Sequence, residues 1–307
     1  MNPIIRPYDP ADRSKMLAAL GTWNAEADGC GLLHPGDVLH GMSNGLRGGD
    51  PTHWFALAEN ESGELRGLAM VFRPQFTGFE VCVAPTERGG AIEEALIDWA
   101  EARTWEVMQA AGVAKSTVHI DIMECDPVRQ QLMEARGYRN QGIGLISTTQ
   151  TLRETLPDVP LPAGYHFSTA ADLDDPDAIG ECHASAFGSS WPPGAYSAVM
   201  ATPGFDSTRE LLVVAPDGRP AAFTVWWPDP ISRSALFEPV GCAAEFQRRG
   251  LTKALLVEGM RRMQAAGMAT AIVNHEPPNE NPASAALYAS VGFAERHMLF
   301  RYSKAMR

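Results

Sequence analysis

Apolar and polar positions divide this chain into short strand-length runs and longer amphipathic stretches, and the same succession occurs twice. Residues 67–72 and 79–84 are apolar runs of strand length, the first preceded by a Glu-Ser-Gly-Glu turn at 61–64. Leu57 marks the strand before that turn. Residues 92–107 space their apolar side chains at a helical period, and 118–122 alternate as a strand does. In the second half, runs at 211–214 and 221–226 flank a Pro-Asp-Gly-Arg turn. A longer apolar run covers 236–244, and an Ala/Leu-rich helical pattern follows Gly250 at once. Residues 269–273 and 296–303 read as two further strands.

The two halves also match in their glycines. Gly90 precedes Gly250 by 160 positions, and Gly137 precedes Gly292 by 155. A repeat of that length is a duplicated domain, not a solenoid. Between the halves, residues 156–164 hold three prolines in nine positions, which blocks both helix and strand and marks a linker. Residues 1–155 and 165–307 are therefore expected to be two α+β domains. Each is expected to hold a mixed, mostly antiparallel sheet flanked by helices.

The densest chemistry lies at 236–256. An apolar strand runs into Gln247-Arg248-Arg249-Gly250-Leu251-Thr252-Lys253 and then directly into a helix. The first N–H groups of a helix have no intrahelical partner, and the helix dipole adds partial positive charge beside them. Two adjacent arginines supply full charges suited to phosphate oxygens. The expected ligand is a pyrophosphate. No Gly-x-x-x-x-Gly-Lys-Ser/Thr and no strand-following Gly-x-Gly-x-x-Gly occurs, which excludes the nucleoside-triphosphate loop and the dinucleotide fingerprint.

This loop resembles the coenzyme A loop of the GNAT (Gcn5-related N-acetyltransferase) superfamily, Gln/Arg-x-x-Gly-x-Gly/Ala. A second segment, Asn281-Pro-Ala-Ser-Ala-Ala-Leu-Tyr288-Ala-Ser-Val-Gly-Phe293, resembles that family's later Asn-x-x-Ala-x-x-Leu-Tyr-x-x-x-Gly-Phe motif. Residues 126–138 shadow it in the first half, with Leu132 opposite Leu287. The resemblance implies two GNAT folds in tandem, with acetyl-CoA as cofactor and a small-molecule amine as acceptor.

The same resemblance assigns roles. Backbone groups of Val240, Gly241 and Cys242 would bond the pantetheine arm and polarise the thioester carbonyl, with Gly241 permitting close approach. Residues Gln247 to Lys253 would hold the pyrophosphate. Thr252 departs from the family's Gly or Ala, so its side chain would either crowd the phosphate or bond to it. Tyr288, with an ordinary pKa near ~10, is the candidate acid for the leaving thiolate. Glu238, or a water, is the candidate base. Asn281 either contacts the pantetheine or caps the helix that begins at Pro282.

The first half departs further from the pattern. Glu93 and Glu94 lie where pyrophosphate would sit, Arg88 is the lone cation of the turn, and Met133 replaces the tyrosine. That half reads as a degenerate copy that is structural or shapes the acceptor site. Phe187, Trp191, Tyr196, Trp226 and Trp227 either line the acceptor wall or pack between the halves. His275-Glu276 lacks zinc-protease spacing, and His183 and His297 read as lone histidines.

Composition bounds the rest. The chain has 307 residues, 45% hydrophobic and 20% charged, with a formal charge of −12. An acidic balance disfavours nucleic acid, whose binding draws on basic patches. No apolar run reaches the roughly 20 residues of a membrane span, and the N-terminus lacks a signal-peptide pattern. The five scattered cysteines read as reduced thiols of a cytoplasmic protein, without a metal site. A monomer or homodimer is expected. The tandem layout also resembles that of the mycothiol synthases, and a non-catalytic acyl-CoA sensor is the reading outside enzymes.

Overall fold

The computed structural model describes residues 3–31, 33–45, 49–114, 117–152 and 155–306. The first half runs β1 (Ile4–Pro7), α1 (Arg13–Glu26), α2 (Pro35–His40), β2 (Phe55–Glu59), β3 (Leu65–Val71) and β4 (Phe79–Val83). It continues through α3 (Ala91–Ala110), β5 (Thr117–Met123), α4 (Pro127–Ala135) and β6 (Arg139–Thr151). The second half runs β7 (His166–Thr169), α5 (Ala170–Leu173), α6 (Pro176–Phe187), α7 (Ala195–Met200), β8 (Glu210–Val214), β9 (Pro220–Asp229) and β10 (Ser234–Cys242). It ends with α8 (Leu251–Ala265), β11 (Thr270–His275), α9 (Pro282–Ser290) and β12 (Ala294–Ala305). The expected mixed α/β architecture with helix-flanked sheets is present.

The local reasons repeat between halves. Asp126 and Asn281, each followed by a proline, cap α4 and α9 by accepting the N–H of Arg129 and of Ser284. Segment 156–164 forms neither helix nor strand, and its Leu156, Val159 and Leu161 lie against the second half's core.

Strand pairing adds what periodicity could not show. Strands β1 to β4 form one sheet; the other eight form a second, in the order β5-β12-β6-β11-β10-β9-β8-β7. The closing strands have changed places. β6, from the first half, pairs antiparallel with β11 over Thr270↔Thr151 to His275↔Ile146. β12, from the second half, pairs with β5, and β6 and β12 pair with each other. Tyr302 of β12 accordingly sits in the first half's core beside Phe79 and Tyr138. A third apolar contact, Leu39 with Val225 and Trp227, joins α2 to β9.

This exchange makes the halves mutually dependent. Residues 165–307 expressed alone would leave the β11 edge without β6, and β12 without either neighbour, an open template for aggregation. The expected result is aggregated or unfolded protein by circular dichroism and size-exclusion chromatography. A soluble, cooperatively unfolding fragment would contradict the exchange.

The cysteine expectation needs correction. Cys30 and Cys125 are joined by a disulfide, with Cα atoms 6.1 Å apart, and tie the loop after α1 to the loop after β5. Their separation of 95 residues gives no local signal of the pairing. Cys82 and Cys182 are buried thiols and Cys242 is partly buried. Among the described residues no helix is long and apolar enough to cross a membrane.

Candidate active site

β10 and β11 run parallel but pair only at Ser234↔Thr270, Ala235↔Ala271 and Leu236↔Ile272. Beyond Leu236 they part, while β10 stays bonded to β9 through Val240↔Thr224, Gly241↔Phe223 and Cys242↔Ala222. The outer backbone edge of Val240–Cys242 therefore faces the gap. A register break between Phe237 and Val240 turns Glu238 out of the ladder, and the Trp227 indole N–H anchors its carbonyl at 2.6 Å. Gly241 is glycine for a packing reason: a Cβ there would meet the Phe223 ring at 2.2 Å and Ala186 at 3.0 Å.

The turn after β10 aims its backbone at solvent. Arg248 (φ 65°) and Gly250 (φ 79°) both take left-handed conformations, and no side chain caps α8. The first turn of α8 carries Lys253 and no carboxylate, a charge placement that opposes the helix dipole unless an anion binds there. Arg248 is exposed, with no hydrogen bond or ion pair among the described residues. Arg249 is committed: it donates to Tyr165 Oη at 2.7 Å and to the Glu245 carbonyl at 2.9 Å, and lies over Phe246. Gln247 reaches back to the Cys242 carbonyl at 3.3 Å. Thr252 bonds the Cys242 thiol, whose pKa burial raises and this contact lowers. The exposed cations, uncapped N–H groups and lack of acid make this cradle a fit for a polyphosphate ligand.

Tyr288 is buried on α9 between His275 and Phe293, with ring centroids at 5.4 and 6.0 Å. Burial, and then the charge of Glu238, holds its hydroxyl protonated far above neutrality. Glu238 itself is pushed up to about 8, first by burial and then by Asp37. His275 donates from Nδ1 to the Glu276 carbonyl at 2.7 Å, since a carbonyl can only accept. Asn281 is engaged as the α9 cap, and its amide also donates to Glu276 at 3.0 Å.

The equivalent cradle in the first half is filled from within. Glu93, fully buried, accepts the Gly89 N–H at 2.6 Å through one oxygen and Arg129 Nε at 2.6 Å through the other. Arg129 is also buried and donates to the Gly31 carbonyl at 3.0 Å. Arg88 turns inward to the Cys30 carbonyl. Breaking a buried pair costs roughly 3–5 kcal/mol, whereas a helix N-terminus offers an anion about 2 kcal/mol at most. The internal carboxylate therefore wins over an incoming phosphate.

A cavity of about 710 Å³ lies between the halves, and Glu238 and Asn274 bring the second half to its wall. The remaining wall is largely the first half's, including Asp37, His40, Glu80, Arg73 and His119. His40 Nε2 stands 3.6 Å from Glu238 Oε1, and burial holds the imidazole neutral, at about 4. Asp37 is raised to about 7 by burial. None of the five aromatics named as acceptor-wall candidates lines this cavity: Trp191 and Tyr196 border a separate 90 Å³ recess, and Trp227 packs between the halves. His183 is not alone but bonded to buried Glu210 at 2.9 Å, with Tyr196 donating to the same oxygen at 2.6 Å. His297 stands 3.1 Å from Glu124.

Residues 177–293 match the model of the acetyltransferase (GNAT) family. Among curated proteins, none matches the chain. The structure is similar to a GCN5-related N-acetyltransferase from Sphaerobacter thermophilus, at 24% identity and TM-score 0.66, over 99% of this chain and 96% of that one. It is similar also to a tandem GNAT protein from the clavulanic acid biosynthesis pathway, at 15% identity and TM-score 0.61, over 99% and 98% of the chains. A putative acetyltransferase from Pyrococcus horikoshii aligns over 100% and 90%, at 12% identity and TM-score 0.57. The family match lies within the second half, and the whole chain has the fold of a tandem GNAT protein.

Proposed function

We propose that this protein transfers the acetyl group of acetyl-CoA to the primary amine of a small molecule by direct attack. One observation carries the reading: β10 parts from β11 after Leu236, so that Glu238 and the free edge of Val240–Cys242 lead from the cavity between the halves to the uncapped, cationic start of α8. Arg248, Lys253 and the first N–H groups of α8 hold the pyrophosphate, and the free backbone edge of Val240–Cys242 orients the arm. Acetyl-CoA, when bound, supplies the thioester. Glu238 takes the proton of the incoming ammonium, for which a carboxylate with a pKa near 8 is matched to neutral pH. Tyr288 keeps its proton at the phenolic oxygen for the departing sulfur.

Tyr288→Phe tests the acid. It keeps the ring packing against His275 and Phe293 and removes only the proton. Turnover with a responsive amine should fall roughly 10²-fold, while acetyl-CoA affinity by calorimetry stays within about threefold. Unchanged turnover would remove Tyr288 from the reaction.

A further inference from the structure

The 710 Å³ cavity holds a symmetry that the reaction alone does not require. In the first half, Phe79 pairs with Val71, Glu80 with Met70 and Val81 with Ala69, in an unbroken ladder. In the second half, Phe237 pairs with Trp226, and Glu238 follows it before the ladder resumes at Val240↔Thr224. Glu80 and Glu238 therefore each follow the corresponding phenylalanine of the fourth strand, Glu80 within the ladder and Glu238 at a break in it. Both line the one cavity, approaching it from different halves. The exchange of β6 and β12 brings the two copies together around this space.

The remaining charges of the cavity are unequal. Asp121 is satisfied by Arg301 through two bonds, at 3.0 and 2.9 Å. Arg73 lies over the Phe76 ring at 5.3 Å. That leaves the carboxyls of Asp37, Glu80 and Glu238, with the Arg73 guanidinium and the His119 imidazole also on the wall and His40 neutral. Burial raises all three carboxyls; at Glu80 the charges of Asp121 and Asp37 add to the rise and Arg129 opposes it. Between them the wall is apolar, with Phe72, Phe76, Leu145 and Leu299. A ligand that complements this space is small, apolar in the middle and cationic at both ends.

We propose that the acceptor is a diamine, with its reacting nitrogen at Glu238 and its second, protonated nitrogen held by Glu80 on the opposite copy. This rests on the reading of Glu238 as the base, but the binding claim can be tested without turnover. Diaminobutane, diaminohexane and diaminooctane would each be titrated calorimetrically into the full-length protein without coenzyme, against butylamine, hexylamine and octylamine. The best diamine should bind at least tenfold more tightly than its monoamine, about 1.4 kcal/mol.

Glu80→Gln should bring that ratio to about one, and Glu80→Asp should retain part of it. Unchanged acetyl-CoA affinity in both variants shows that they are folded. Equal affinity for diamine and monoamine, or a preference that survives Glu80→Gln, overturns the proposal. So does tighter binding of aminohexanoate, which would assign the far end to Arg73. Thiol release from acetyl-CoA with hexylamine is measured separately. If it is absent while the Glu80-dependent preference holds, the transferase reading fails and the diamine site stands. If it is present without the preference, the reverse follows.

Discussion

Glu238→Gln is expected to lower kcat/KM roughly 10²- to 10³-fold, in the range for loss of a general base, and to remove one ionisation from the pH profile. The sign follows from the required form. The base must be deprotonated, and burial together with Asp37 raises Glu238 to about 8. Activity of the unaltered protein should therefore climb with pH until about 8 and then level. Asp37→Asn removes a neighbouring negative charge, so the same limb should move to lower pH with its plateau retained. The readout is kcat/KM from pH 6 to 10 with a responsive amine, followed by thiol release. A limb unmoved in Asp37→Asn and still present in Glu238→Gln would exclude Glu238. Deprotonation of the free amine would then set the profile.

Arg248→Glu combined with Arg249→Glu should weaken acetyl-CoA binding at least 100-fold. A charge-assisted contact contributes about 1.5–3 kcal/mol, and reversal turns attraction into repulsion beside a helix N-terminus that is already uncapped. The two arginines should not contribute equally. Arg249 is held by Tyr165, the Glu245 carbonyl and Phe246. Most of the loss should therefore be reproduced by Arg248→Glu alone, and Arg249→Glu should show a larger drop in thermal stability instead. Binding that survives the double reversal would contradict the cradle assignment. Full loss from Arg249→Glu with none from Arg248→Glu would contradict the division of labour.

The second half's strands, turns and helix starts could be read from the sequence because each has a local cause. The αL glycine before α8 and the Asn-Pro cap of α9 sit beside the elements they start. The degenerate cradle was legible for the same reason, since Glu93 lies within one helical turn of Gly90. What the sequence hid is non-local. The exchange of β6 and β12 depends on which edges meet, and an antiparallel closing strand reads the same whichever sheet it joins. The Cys30–Cys125 bond spans 95 residues.

The acceptor cavity was hidden for a related reason. Its wall comes mainly from α2, β3, the loop that follows β3, and β5 of the half expected to be structural or to shape the acceptor site. Glu80 and Asp37 are unremarkable in sequence and gain their character only from burial in the folded protein. Gly241 and Asn281 show the converse, because both matched the family's motif. Here the space beside Gly241 is filled by Phe223, and Asn281 is engaged as a cap.

Calorimetric titration of acetyl-CoA into the full-length protein, read for stoichiometry, tests the central claim most directly. One site per chain is expected, abolished by the double reversal at Arg248 and Arg249, because the first half's cradle is occupied by Glu93. Two sites would show that Glu93 yields to phosphate. No site would remove the coenzyme from the second half and the transfer reaction with it.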